Sequence, residues 1–101
     1  MPLITRAKST EAKLQLQHVH TLQQNYFYEQ SKYCSDLEEL GFEQEALTVD
    51  GGRANYRIEI IEAGPSAFIA RATSVTDFNG NGTFNVWEMD QNKTLKEVVK
   101  D

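Results

Sequence analysis

The fold is decided by the stretch "LITRAKSTEAKLQLQHVHTLQQNYFYEQ", Leu3 to Gln30, in which helix-forming residues continue without Gly or Pro. At about 100° per residue, one apolar stripe forms along this stretch, and we predict that it faces the core. The stripe consists of Ala12, Leu16, Val19, Leu22, Tyr26 and Phe27. The stretch therefore predicts one long amphipathic helix.

Three further apolar residues, Leu3, Ala7 and Leu14, fall on nearly the opposite side of this helix. A single molecule with one sheet has nothing to cover them, so they predict contact with a partner. The alternative is that three scattered apolar residues on a long helix need no partner.

The segment "YCSDLEELGF", residues 33–42, predicts a short helix. Ser35 can cap it with Glu38 as a capping box, and Gly41 can end it in the left-handed conformation. Further on, "ANYRIEIIE", "AFIARATSV", "FNVWEMD" and "LKEVVKD" predict strands, and the first two are joined by the turn "AGPS". The first two strands alternate in part, and the residues expected on one face are Tyr56, Ile58, Ile60, Phe68, Ala70 and Ala72.

These elements predict the α+β class, with a long N-terminal helix packed on a three- to four-stranded antiparallel sheet. At 101 residues the chain fits one domain, 1–101. Its predicted parts are a helix over 3–31, a short helix over 36–40 and a sheet over 47–101.

The composition excludes several classes of function. The net charge is −5, with 15 acidic and 10 basic residues, so no surface for nucleic acid is expected. Cys34 is the single cysteine, which cannot form an internal disulfide, and we interpret it as a small buried hydrophobe. No segment is long and apolar enough to span a bilayer, so the chain as given is expected to be soluble.

The segment "DFNGNGTFNVWE", residues 77–88, fits the spacing of a calcium-binding loop. Its candidate ligands are the side chains of Asp77, Asn79, Asn81 and Glu88 and the carbonyl of Thr83. Strands flank the segment, which argues against an EF-hand, and its Asn residues, Asn85 included, offer only neutral oxygens. The alternative is a turn that uses Asn-Gly because both residues tolerate positive φ.

No catalytic constellation is visible, because no Ser or Cys stands beside a plausible base and no HExxH or P-loop pattern occurs. We therefore predict no enzymatic activity and no cofactor other than the candidate calcium. His18 and His20 lie two apart on the helix and are interpreted as solvated. Of the tyrosines, Tyr28 and Tyr33 are expected to be exposed.

The chain resembles the globular domain of type IV pilins and of type II secretion pseudopilins. The likeness lies in "PLITRAKSTEAKLQLQHVHTLQQNYFYEQSKY", which leads into "DLEELGF", in the hairpin "YRIEIIEAG" with "FIARAT", and in "DFNGNGTFNVWEMDQNKTLKEV". It covers nearly the whole chain. The single cysteine departs from the pilins, which often close a C-terminal loop with two cysteines. The missing "WGxPY" segment, and the Asn residues at 79 and 81 where the calcium-binding major pseudopilins would carry acids, favour a pilus subunit over a secretion pseudopilin.

The resemblance implies that an apolar half-helix precedes Pro2 and anchors the complete protein in the bacterial inner membrane, with this domain in the periplasm and later in an extracellular filament. It implies that neighbouring helices bury Leu3, Ala7 and Leu14, and that other pilin subunits and the pilus assembly machinery are the partners. The isolated domain is then expected to be monomeric. The alternative is a free-standing soluble binding module with a calcium-dependent contact at residues 77–88.

Overall fold

The computed structural model describes residues 3–76, 82 and 84–99. Within this part, a long helix is followed by a short helix, a 3-10 turn and four strands. In order the elements are α1 (Leu3–Gln30), α2 (Leu37–Leu40), the 3-10 turn (Thr48–Asp50), β1 (Tyr56–Ala63), β2 (Phe68–Ser74), β3 (Val86–Asp90) and β4 (Leu95–Val99). The α+β class predicted from the sequence is confirmed.

The four strands form one antiparallel sheet in the order β1-β2-β3-β4. The turn between β1 and β2 is closed by a hydrogen bond of 2.9 Å from Gly64 N to Ala67 O. In the turn between β3 and β4, the Asp90 carboxylate accepts from the backbone amides of Asn92 and Thr94. Because each strand pairs with its neighbour in sequence, β1 and β4 lie at the two edges of the sheet.

Helix α1 packs across one face of the sheet. The predicted alternation is confirmed in β1 and β2, where Tyr56, Ile58, Phe68, Ala70 and Ala72 are buried, while Ile60 is half-buried. From the helix, Ala12, Leu16 and Val19 are fully buried, and Leu22 packs at the margin of the same core. Burial of each large aliphatic side chain stabilises the fold by about 1.5–3 kcal/mol.

The start of α2 differs from the sequence prediction. Asp36, not Ser35, is the N-cap, and its Oδ1 accepts a hydrogen bond of 3.0 Å from Glu38 N. Asp36 directly precedes Leu37, the first residue of the helix, so its carboxylate reaches a free amide at the helix start. Asp caps helices as well as Ser does. The predicted end is confirmed, because Gly41 has φ 88° and its N–H donates to Glu38 O.

The chain that leaves α1 is held against the helix by the side chain of Gln23, which is 0% exposed. Its Nε2 donates to Cys34 O over 2.7 Å, and its Oε1 accepts from Cys34 N over 2.8 Å. One amide side chain thus satisfies both backbone groups of a buried residue, as a neighbouring strand would. This contact fixes where the chain turns back along the helix.

Candidate functional site

The exposed side of α1 carries no charge over the segment from residue 10 to residue 28, in which every side chain is described. We call this surface the uncharged strip. It consists of Thr10, Leu14, Gln17, His18, Thr21, Gln24, Asn25 and Tyr28. In a chain with 25% charged residues, a solvated helix face would be expected to carry several charges.

The charged residues of the same segment, Glu11 and Lys13, are half-buried and turn toward the sheet. The Glu11 carboxylate accepts hydrogen bonds from the backbone amides of Asn55 and Tyr56, over 2.8 and 3.2 Å. Lys13 Nζ lies 4.8 Å from the centre of the Trp87 ring. Both charged side chains therefore make contacts within the molecule. The uncharged strip, on the side of α1 that faces solvent, contains neither of them.

Two apolar or aromatic side chains stand out on the uncharged strip. Leu14 is 60% exposed and Tyr28 is 77% exposed. Residues Leu3 and Ala7 belong to α1, but their side chains lie outside the described part of the structure. Of the three residues predicted to meet a partner, Leu14 is thus the one whose surface the structure describes.

Tyr33, which the sequence analysis placed outside with Tyr28, is half-buried. Its ring stacks on Phe27 with centroids 4.9 Å apart and lies 5.0 Å from Phe68. The prediction for Tyr33 was wrong because the chain folds back after α1 and carries this ring onto the end of the core.

His20 also differs from its prediction, since it is buried, whereas His18 is exposed as expected. The Nε2 atom of His20 lies 3.0 Å from Gln91 O, and a carbonyl can only accept, so Nε2 carries the hydrogen. The ring also lies 5.9 Å from Phe68. The bond joins α1 to the turn between β3 and β4, a partner that spacing along the helix could not reveal.

Of the candidate calcium loop, the structure describes Gly82, which has φ 82°, and residues 84–88. Asp77, Asn79, Asn81 and Thr83 lie outside the described residues. Glu88 lies on β3, where its Oε2 accepts from Arg71 Nη2 over 2.6 Å and from Arg71 Nε over 2.7 Å. To act as a distal ligand, this carboxylate would have to share its charge between Arg71 and the ion.

Asn85, whose amide oxygen was counted among those of the loop, is 0% exposed. Its Oδ1 accepts from Tyr56 Oη and Trp87 Nε1, each over 2.6 Å. Both lone pairs of that oxygen are thereby occupied, so Asn85 supplies nothing to a metal. Among residues 3–76, 82 and 84–99, no three His, Cys, Asp or Glu side chains are grouped to hold a metal ion.

The calcium prediction can be tested by melting. If residues 77–88 bind the ion, calcium at about 100 times its Kd should stabilise the fold by about 2.7 kcal/mol and raise Tm by about 10 °C or more. Circular dichroism melts in millimolar calcium and in chelator measure this directly, with Asp77→Asn as the variant that should lose the response. If the original chain gives the same melting curve in calcium and in chelator, residues 77–88 act only as a turn.

The single thiol offers no candidate nucleophile. Cys34 is 4% exposed, which confirms its interpretation as a small buried side chain. Burial raises the pKa of the Cys34 thiol, and a hydrogen bond from Sγ to the Glu39 carboxylate acts in the same direction. The thiol therefore stays protonated at neutral pH, the form in which cysteine is unreactive.

The described helices lack the combination of length and apolar character needed to cross a membrane. Among the surfaces described above, the uncharged strip of α1 is the one that calls for a functional explanation. No family model matches the chain, and neither a curated protein nor a solved structure shows a significant match to it.

Proposed function

We propose that the chain is the globular domain of a pilin-like structural subunit, which assembles into a type IV pilus or related filament through the exposed side of α1. The uncharged strip is the observation that carries this proposal. Interfaces are depleted of charged residues at their centres and enriched in aromatic residues, and the strip combines Leu14 and Tyr28 with neutral polar side chains. In this role the domain catalyses no reaction.

The dimensions of the molecule suit side-by-side assembly. Helix α1 has 28 residues, or about 42 Å at 1.5 Å per residue, and the longest extent of the molecule is 43 Å. The uncharged strip covers about 27 Å of that length. Copies that align their helices can therefore make a continuous contact, with the sheets turned outward.

The net negative charge of the chain favours contact between copies at a surface that carries no charge. Copies that each carry a net charge of −5 repel one another over most approaches. Contact along an uncharged strip avoids the desolvation of ionised side chains, which costs several kcal/mol for each buried ion. Self-association through this part of α1 therefore avoids that cost.

We further propose that the gene encodes, upstream of the Pro2 codon, a short basic leader followed by about twenty apolar residues, enough to span a bilayer as a helix. In the organism that carries the gene, the complete product would then be an inner-membrane subunit with a periplasmic domain before assembly. Other subunits and the assembly machinery would be its partners.

A single charge on the strip tests the proposal. Leu14→Lys in the complete gene product should reduce surface filaments about tenfold or more, because assembly would bury an unpaired ammonium group. Filaments are counted by electron microscopy and by the protein sheared from the cells. The matched control is Val49→Lys, since Val49 is 64% exposed and lies in the 3-10 turn, away from the strip.

Both variants should melt within about 2–4 °C of the original domain, because exposed substitutions seldom change stability by more than about 0.5 kcal/mol. Normal filaments from Leu14→Lys would contradict assembly through this face. Equal loss in both variants would show that the defect does not depend on the strip.

A further inference from the structure

The outer edge of β1 is open in the described part of the chain, because β1 is the first strand of the sheet and no described strand pairs with it on that side. Its outward backbone groups form a row. Glu11 accepts from Tyr56 N, and the side chain of Gln44 donates to Tyr56 O over 3.3 Å and accepts from Ile58 N over 2.8 Å. These are the contacts that a neighbouring strand would make.

The row continues beyond Gln44. In an antiparallel ladder the N–H and C=O of one residue point to the same side, and the direction alternates along the strand. Since Ile58 N points outward to Gln44, the carbonyl of Ile58 and the N–H of Ile60 also point outward, up to the β-bulge between Ile60 and Glu62. An added strand would find these groups already aligned.

A groove of about 840 Å³ lies beside this row, between β1 and the segment that carries α2. Its apolar lining consists mainly of the half-buried Leu37 and Ile60, with Phe42 and Ile58, each 4% exposed, beneath them. The groove is open along its length, which suits an extended chain whose alternate side chains enter the groove and whose others meet the rim.

The rim of the groove is acidic. Of its described lining residues, Asp36, Glu38, Glu43 and Glu59 carry negative charge, and none is Lys or Arg. All four are exposed and so remain solvated when the groove is empty. A partner that brings positive charge to this rim gains in rate and specificity, whereas another copy of this chain brings net negative charge.

We infer that the β1 edge and its groove bind an extended segment of a different protein, in which apolar residues alternate with Lys or Arg. The segment pairs with the carbonyl of Ile58 and the N–H of Ile60 as an added strand that starts where the Gln44 side chain ends, places its apolar side chains over Leu37 and Ile60, and sets its cations against Glu43 and Glu59. No residue of the uncharged strip lines the groove, although the two surfaces adjoin at His18, whose ring centre lies 5.8 Å from that of Phe42.

A model peptide tests the inference. The probe is a peptide of about six residues that alternates Lys and Val and has blocked ends, titrated into the ¹⁵N-labelled domain. Amide shifts should change at residues 36–44 and 56–62. A peptide with Glu in place of Lys should bind at least about tenfold more weakly, and so should one that is N-methylated on the edge that faces β1.

Charge reversal on the protein gives the matched control. Glu43→Lys combined with Glu59→Lys should weaken the Lys-Val peptide about tenfold, while Glu29→Lys combined with Asp50→Lys, at exposed residues that do not line the groove, should change its affinity less than about threefold. Four results would each overturn the inference: shift changes centred on β4, equal binding of the methylated peptide, equal effects of the two double reversals, or no binding at millimolar peptide. Concentration-dependent shifts at 56–62 without peptide would overturn it in favour of self-pairing.

Discussion

Asn85→Asp is expected to lower the free energy of unfolding by about 3 kcal/mol or more, the largest effect of any single substitution considered. The Asn85 amide group donates to Glu97 Oε2 over 2.7 Å and to Val99 O over 2.9 Å. An Asp would place a carboxylate oxygen against both acceptors. Removal of one partner from a buried network leaves unsatisfied groups, and a buried like-charge contact adds to that cost.

The position of Asn85 makes this loss global. Its oxygen accepts from Tyr56 on β1 and Trp87 on β3, and its amide group reaches β4, so one side chain joins three strands. Because Trp Nε1 can only donate, the orientation of the amide is fixed.

Urea denaturation followed by Trp87 fluorescence measures the change. The control, Asn25→Asp, makes the same chemical change at an exposed position and should alter stability by less than about 0.5 kcal/mol. Equal stability of the two variants would show that the network contributes nothing.

The second large effect is expected for Gln23→Ala, at about 2–4 kcal/mol. The substitution leaves a cavity and removes both partners of the buried Cys34 backbone. Gln23→Leu, which keeps most of the volume, should recover only the part of the loss that comes from the cavity. The neighbouring Gln24→Ala is the matched control, since Gln24 is exposed and should tolerate the change.

The Gln23 variants have a local readout as well. When the segment after α1 detaches, Cys34 becomes accessible, so its alkylation by iodoacetamide under native conditions should accelerate about tenfold or more, through local opening. Gln24→Ala should alkylate as slowly as the original chain. Slow alkylation in Gln23→Ala would mean that packing alone holds this segment.

Periodicity was sufficient to predict the main elements of the fold. The apolar spacing of Ala12, Leu16 and Val19 predicted the buried side of α1, and alternation in β1 and β2 predicted which of their residues face it. These patterns are local in sequence, and the physical cause, burial of one side of a regular element, is local as well.

The buried polar residues were beyond such reasoning. Gln23, His20 and Asn85 are buried because each finds a hydrogen-bond partner that the fold supplies, and Gln91, the partner of His20, is 71 residues away in sequence. A polar residue in isolation predicts exposure, so these three could not be identified from composition or spacing. Asp36 replaced Ser35 as the cap for a smaller reason, since both residue types cap well and the chain path decided between them.

The candidate interface could be predicted in part. Leu14 attracted attention as an apolar residue opposite the core stripe, and its exposure is as expected. That the exposed side of α1 is uncharged from residue 10 to residue 28 became apparent only when the structure placed Glu11 and Lys13 against the sheet. Which charges a helix leaves in solvent depends on what its neighbours offer them, and that is a property of the tertiary structure.

The central claim, that copies of the protein cover the uncharged strip, is tested most directly by the reactivity of a cysteine at position 14. Leu14→Cys and Val49→Cys, each in a Cys34→Ala background, would be labelled with a maleimide in the isolated domain and in filaments of the complete gene product. The account predicts that position 14 reacts about tenfold or more slowly in filaments, because neighbouring helices exclude the reagent, while position 49 reacts alike in both. Equal reactivity of position 14 in the two forms would contradict it.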